Sequence, residues 1–223
     1  MAIDIMSPNC HELHWGNWAS QMRLSHFSDD GGIALFEPRP VRTPVARPEG
    51  QEWLNGPLVW AIDEPHQILY LFPRECPRIL IWPTPLSTPQ DRMTWMGAAK
   101  TRAVAYVETG WMTRLRNAAI WRYDMPTGSF IDTREVGMWV STSAVRPDQV
   151  EPLSKLEDRL EDAGVELRAL DCLASLKPVW RSSLHASGIR LRNAMDWGPP
   201  SWTHSAPGRV VQVGSPSPPS DRG

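Results

Sequence analysis

Short runs of alternating or continuous apolar residues, bounded by proline and glycine, recur along this chain. That pattern predicts strands at 23–28, 58–63, 78–82, 103–108, 120–124, 138–141 and 165–170. Helical signals are fewer. Asp63 is placed to cap a short helix with Pro65 in its first turn, which must stop before Pro73. Thr88-Pro89-Gln90-Asp91 sets a cap hydroxyl ahead of a first-turn proline, and 109–117 is a third candidate. Ser154-Lys155-Leu156-Glu157 reads as a capping box, followed by Leu156, Leu160 and Ala163 at helical spacing and by Gly164 as the stop. Trp180, Leu184, Gly188, Leu191 and Met195 fall on one stripe, so 178–194 is expected to be a docked terminal helix.

Between these elements, 37–57 carries five prolines and no core pattern, which predicts a long surface loop that does not pair in a sheet. Residues 1–20 show neither period and read as a flexible appendage. Residues 196–223 are rich in proline, serine and glycine and read as a disordered tail. One domain over 21–195 follows. Its strands outnumber its helices at irregular intervals, so the expected fold class is α+β: a mixed, mostly antiparallel sheet with a few packed helices.

Composition narrows the function classes. The 223 residues carry a net charge of -2, so no general basic field exists to hold a nucleic-acid backbone. No apolar run approaches the roughly 18 residues of a membrane span, and the first 20 residues lack the apolar core of a secretory signal. Cys10, Cys76 and Cys172 are odd in number and widely spaced, which suits free thiols in a reducing, cytoplasmic setting. There are 22 prolines, about twice the usual share, and 12 tryptophans, of which Trp60, Trp82 and Trp139 are the expected core members.

The chain has no phosphate-binding glycine loop, dinucleotide fingerprint, nucleophile elbow, HExxH or paired-cysteine zinc pattern. Cys10, His11 and His14 are metal-capable types at close spacing, or an incidental feature of the terminus. Leu24, His26 and Ser28 share one face of the first predicted strand. His26 and Ser28 therefore either line a ligand cleft beside the Asp29-Asp30-Gly31-Gly32 turn or sit at a sheet edge bonded to backbone. Asp63 either caps its helix or meets a ribose hydroxyl, with Tyr70 one to two turns behind it. Arg74 and Arg78 flank a proline-rich corner, where a core or surface role is expected for each. His185, Arg190 and Arg192 on the last predicted helix either form a phosphate-holding face or are solvated charges at a helix end.

Five motifs occur in this order: Arg23-Leu24-Ser25-His26-Phe27-Ser28, Leu58-Val59-Trp60-Ala61-Ile62-Asp63, Phe72-Pro73-Arg74-Glu75-Cys76-Pro77-Arg78, Gly137-Met138-Trp139-Val140-Ser141 and Ser187-Gly188-Ile189-Arg190-Leu191-Arg192-Asn193. In them the chain resembles a family of small uncharacterised bacterial and fungal proteins, over 23–193. Leu24-Ser25-His26-Phe27-Ser28 also resembles the first strand of the ADP-ribosyltransferase-like fold. That resemblance implies a histidine, here His26, that orients an NAD ribose, and an aromatic or hydroxyl group on a second strand, here 60–63 with Tyr70 behind it. It also implies a later glutamate, but Met138 to Ser141 holds no carboxylate.

The leading expectation is a protein that binds NAD, ADP-ribose or a related nucleotide, with His26 as the candidate catalytic residue. Ser28, Asp63, Tyr70, His185, Arg190 and Arg192 are the candidate ligand-binding residues. The alternative is a non-catalytic module that binds a protein partner, which exposed tryptophans such as Trp53 and Trp95 would support.

Overall fold

The computed structural model describes residues 22–41, 44 and 47–198, which leaves the expected appendage, the Cys10, His11 and His14 cluster and most of the expected tail outside the described residues. Among the described residues, ten strands form two sheets. The strands are β1 (Leu24–Ser28), β2 (Val59–Asp63), β3 (Arg78–Trp82), β4 (Ala103–Glu108), β5 (Ile120–Met125), β6 (Ile131–Asp132), β7 (Met138–Ser141), β8 (Gln149–Leu153), β9 (Val165–Leu170) and β10 (His185–Ile189). An antiparallel six-stranded sheet runs β6-β7-β2-β1-β5-β8. A four-stranded sheet runs β10-β3-β4-β9, in which only the β4–β9 pair is parallel. The fold is α+β, as expected from the strand-rich pattern.

The period of two decides which residues meet. Leu80 and Ala105 pair across the smaller sheet and enter a buried cluster with Ile62, Ile120 and Leu153 of the larger one. This shared apolar layer joins the sheets, as alternating inward faces do in sheet packing. Ile79 and Tyr106, one register step away, face outward onto Leu173, Leu176 and Val179. On the far side of the larger sheet, Leu24, Ala61 and Tyr123 pack under Phe36 and Val145.

Three α-helices are present among the described residues: α1 (Pro89–Met96), α2 (Met112–Asn117) and α3 (Leu156–Asp162). None is long and apolar enough to cross a membrane. Thr88 caps α1 as expected, its hydroxyl accepting from the Asp91 amide at 3.1 Å. Asp63 caps a 3-10 segment, Glu64–Tyr70.

Four expectations are corrected. The capping box at Ser154 does not form, because Lys155 takes the cap position in the left-handed region (φ 53°) and Ser154 contributes only its carbonyl, to Arg159. The stretch 178–194 is not a docked helix. It divides into the end of a 3-10 segment (Leu173–Arg181), β10 and a 3-10 turn (Leu191–Asn193). Pairing with β3, which sets Gly188 against Ile79 and His185 against Trp82, overrides the helical stripe. The 37–57 loop does engage the sheets, through the Arg39 to Leu58 bridge and the buried Leu54. Trp60, Trp82 and Trp139 are half-buried, each laying one face on a core cluster.

Gly137, which precedes β7, has φ +71°, and a Cβ there would lie 2.6 Å from His66. Gly137→Ala is expected to destabilise the fold by about 1–3 kcal/mol through combined strain and overlap. Urea unfolding reads this directly, and an unchanged midpoint would contradict it.

Candidate functional site

Where the two sheets part at the C-terminal end of β1, a cavity of about 220 Å3 opens. His26, Phe27, Ser28 and Asp29 line it from β1 and the turn that follows. Tyr70, Phe72 and Arg74 come from the β2 to β3 connection, and Arg78, Ile189 and Arg190 from the smaller sheet and its edge. Four of the residues expected from sequence thus converge: His26, Ser28, Tyr70 and Arg190.

The His26 tautomer follows from its partner. Nδ1 lies 2.8 Å from the Trp60 carbonyl, which only accepts, so Nδ1 carries the hydrogen and donates it. Burial, with Arg74 nearby, lowers the imidazole pKa and keeps the ring neutral. The ring packs on Phe36, with centroids 4.6 Å apart, toward the cluster on the far side of the larger sheet, and His26 is among the residues of β1 that border the cavity. Ser28 Oγ accepts from the Asp30 amide at 3.1 Å and so shapes the turn. Tyr70 stacks on Phe27 with ring centroids 6.0 Å apart, and burial raises its pKa.

Arg78 is 2% exposed and opens β3. Nε donates to the Leu69 carbonyl at 2.9 Å and Nη1 to the Cys76 carbonyl at 3.0 Å. The guanidinium lies 5.1 Å from the centroid of Phe72 and 5.7 Å from that of Tyr70. Among the described residues it has no carboxylate at salt-bridge distance and no hydrogen bond from Nη2. Burial pushes its pKa down to about 10. Arg190 adopts φ 57°, an uncommon conformation for a side chain of this size. Its Nε donates to the Arg74 carbonyl at 3.1 Å and lies 3.7 Å from Glu75. Three arginines therefore border one small space, and Asp29 is the one acidic residue lining it among the described residues.

Three expected residues do not line the cavity. Asp63 Oδ1 accepts from the His66 amide at 3.0 Å and pairs with His66 Nδ1 at 2.6 Å, so it serves the local cap. His185 stacks on Trp82 at 4.1 Å. Burial, with His66 close by, pushes its pKa down to about 4. Arg192 pairs with Glu75 at 3.1 Å on the surface. Sequence reasoning underrated Arg74 and Arg78. The usable signal was an arginine placed directly before the apolar run Ile79-Leu80-Ile81, where a charge is costly without a partner.

A family model, that of a family of unknown function (DUF6886), matches residues 25–194, about three quarters of the chain, and the chain belongs to that family. The match covers nearly the span over which the five motifs occur. No curated protein matches the chain, and no solved structure does.

His185 yields a pH prediction. Folded, it takes a proton only near pH 4, against 6.5 for an ordinary histidine. Between those values the unfolded state binds more protons, so stability falls as pH drops through the window. His185→Phe keeps the stack on Trp82 and removes the titration. Its stability should fall less steeply than the wild type's from pH 6.5 to 4 in denaturant titrations, and equal slopes would refute the assignment.

Proposed function

We propose that this member of the DUF6886 family binds a phosphorylated small molecule in the cavity between the sheets, of the nucleotide class that includes ADP-ribose and NAD. Arg78 carries the proposal. A cation withdrawn from water and left without a counter-ion costs several kcal/mol, and a phosphate in the cavity would supply the missing charge. The planar fork of a guanidinium suits phosphate oxygens better than an ammonium does. Arg74 and Arg190 border the same space. His26 borders the space from β1, where its ring packs on Phe36. The stacked Phe27 and Tyr70 supply an apolar wall.

The resemblance of the first strand to the ADP-ribosyltransferase-like fold supports a ribose at His26. Binding is better supported than group transfer, because Asp29 is the one carboxylate among the described residues lining the cavity and its Oδ1 accepts from the Arg74 amide at 3.3 Å. A protein-interaction module is the second candidate, favoured by Trp53, which is 45% exposed.

Thermal unfolding with ADP-ribose and with NAD tests the proposal. At about 100 times its dissociation constant a ligand should raise the wild-type midpoint by roughly 5–10 °C. Arg190→Gln, which spares the backbone bonds of Arg78, should lose most of that shift at the same concentration. No shift with either compound would overturn nucleotide binding and leave the interaction module.

A further inference from the structure

A second, more open cleft of about 490 Å3 adjoins the first, and Asp29 and Arg74 line both. Pro73, Gly110, Ala118 and Ala119 give it a low wall of small side chains, and Arg114 of α2 stands on its border. Arg74 uses only its backbone: its amide donates to Asp29 and its carbonyl accepts from Arg190. Arg114 lies over the Trp111 ring, 5.1 Å from the centroid. Among the described residues neither guanidinium has a carboxylate at salt-bridge distance.

The acidic groups bordering the cleft are already engaged. Glu75 accepts from Arg192 at 3.1 Å and from Asn193 at 3.0 Å, and these bonds with Arg190 hold its pKa below the usual carboxylate value. Asp29 accepts from the Arg74 amide. Arginines thus continue from Arg78 and Arg190 in the first cavity, through Arg74 at the junction, to Arg114 in the second cleft, and of these only Arg190 has a carboxylate, Glu75 at 3.7 Å, at salt-bridge distance among the described residues.

We propose that the cleft is the second half of the same site and receives a second phosphate, so that the protein selects a nucleoside diphosphate or pyrophosphate-bridged compound over a monophosphate. The proposal rests on phosphate binding in the first cavity. That cavity, at about 220 Å3, is below the roughly 300–1,000 Å3 of ordinary small-molecule sites. It is sized for one phosphate and its sugar, and the rest of a larger ligand must leave past Arg74, whose guanidinium is free to meet a bridging phosphate.

Calorimetric titration of the full chain with AMP and ADP at fixed ionic strength tests this, using wild type, Arg190→Gln and Arg114→Gln. ADP is expected to bind at least roughly tenfold more tightly than AMP, the gain expected from one added charge-assisted contact. Arg114→Gln should remove most of that gain and leave AMP binding unchanged, whereas Arg190→Gln should weaken both ligands. If ADP binds no more tightly than AMP while AMP still depends on Arg190, the second phosphate position is refuted and the first cavity stands. If a 5′-phosphorylated dinucleotide shows the Arg114-dependent gain and ADP does not, the pyrophosphate assignment is likewise refuted. If none of these compounds binds, both proposals fail.

Discussion

Arg78 is the group on which both the corner of the fold and the cavity depend. Nε and Nη1 reach back to the carbonyls of Leu69 and Cys76, so one side chain secures the end of the 3-10 segment and the proline-rich turn leading into β3. Those bonds hold the chain where it passes from the larger sheet to the smaller one, beside the layer formed by Ile62, Leu80, Ala105 and Ile120. A neutral donor could satisfy two carbonyls at lower desolvation cost. Arginine adds a third nitrogen and a full charge, and among the described residues no carboxylate lies at salt-bridge distance from it. The proposed ligand contact and the local architecture therefore fall on one residue. For that reason, substitution of Arg190 or Arg114 isolates binding more cleanly than substitution of Arg78.

The sheet cores were largely legible from sequence, because a strand buried on both sides or alternating cleanly announces itself. The runs at 78–82, 103–108, 138–141 and 165–170 coincide with β3, β4, β7 and β9, and the other three predicted runs differ from β1, β2 and β5 by a residue at one end. Three of the four edge strands, β6, β8 and β10, escaped detection, while β9 did not. β6 has two residues, and β8 carries Pro152 with four of its five positions exposed. β10 reads His-Ala-Ser-Gly-Ile, with little apolar content, and is a strand because β3 offers it a complete antiparallel register. Its helical stripe was real as a spacing. A local period weighs less than five paired positions beside a buried strand.

The site was half legible for a related reason. Local grammar placed His26 and Ser28 at the end of a strand before a turn, and the cavity lies there. It equally placed Asp63 at a cap, where its carboxylate is occupied by His66. What no local pattern conveys is the meeting of Arg78 with Arg190, which depends on β10 lying against β3 with Ile189 opposite Arg78. On the expected helix, Arg192 and Arg190 fell on neighbouring faces. On the strand and turn that form instead, Arg190 reaches the cavity and Arg192 turns to Glu75.

Arg190 brings these threads to one position. It lies at the end of β10 in the left-handed region, a conformation that costs a non-glycine residue roughly 1–2 kcal/mol and that glycine would adopt freely. The turn itself needs only the backbone angle, so the side chain is what arginine contributes for that cost. That side chain bonds the Arg74 carbonyl and approaches Glu75 without a close pair, at 3.7 Å, while Arg192 holds the same carboxylate at 3.1 Å. Glu75 thus positions Arg190 at the rim without neutralising it fully. Strained residues persist where the surrounding structure over-determines them, and such places are commonly ligand clamps. With Arg78 buried behind it and Arg74 beside it, the strained Arg190 is where the proposed anion would find its rim contact.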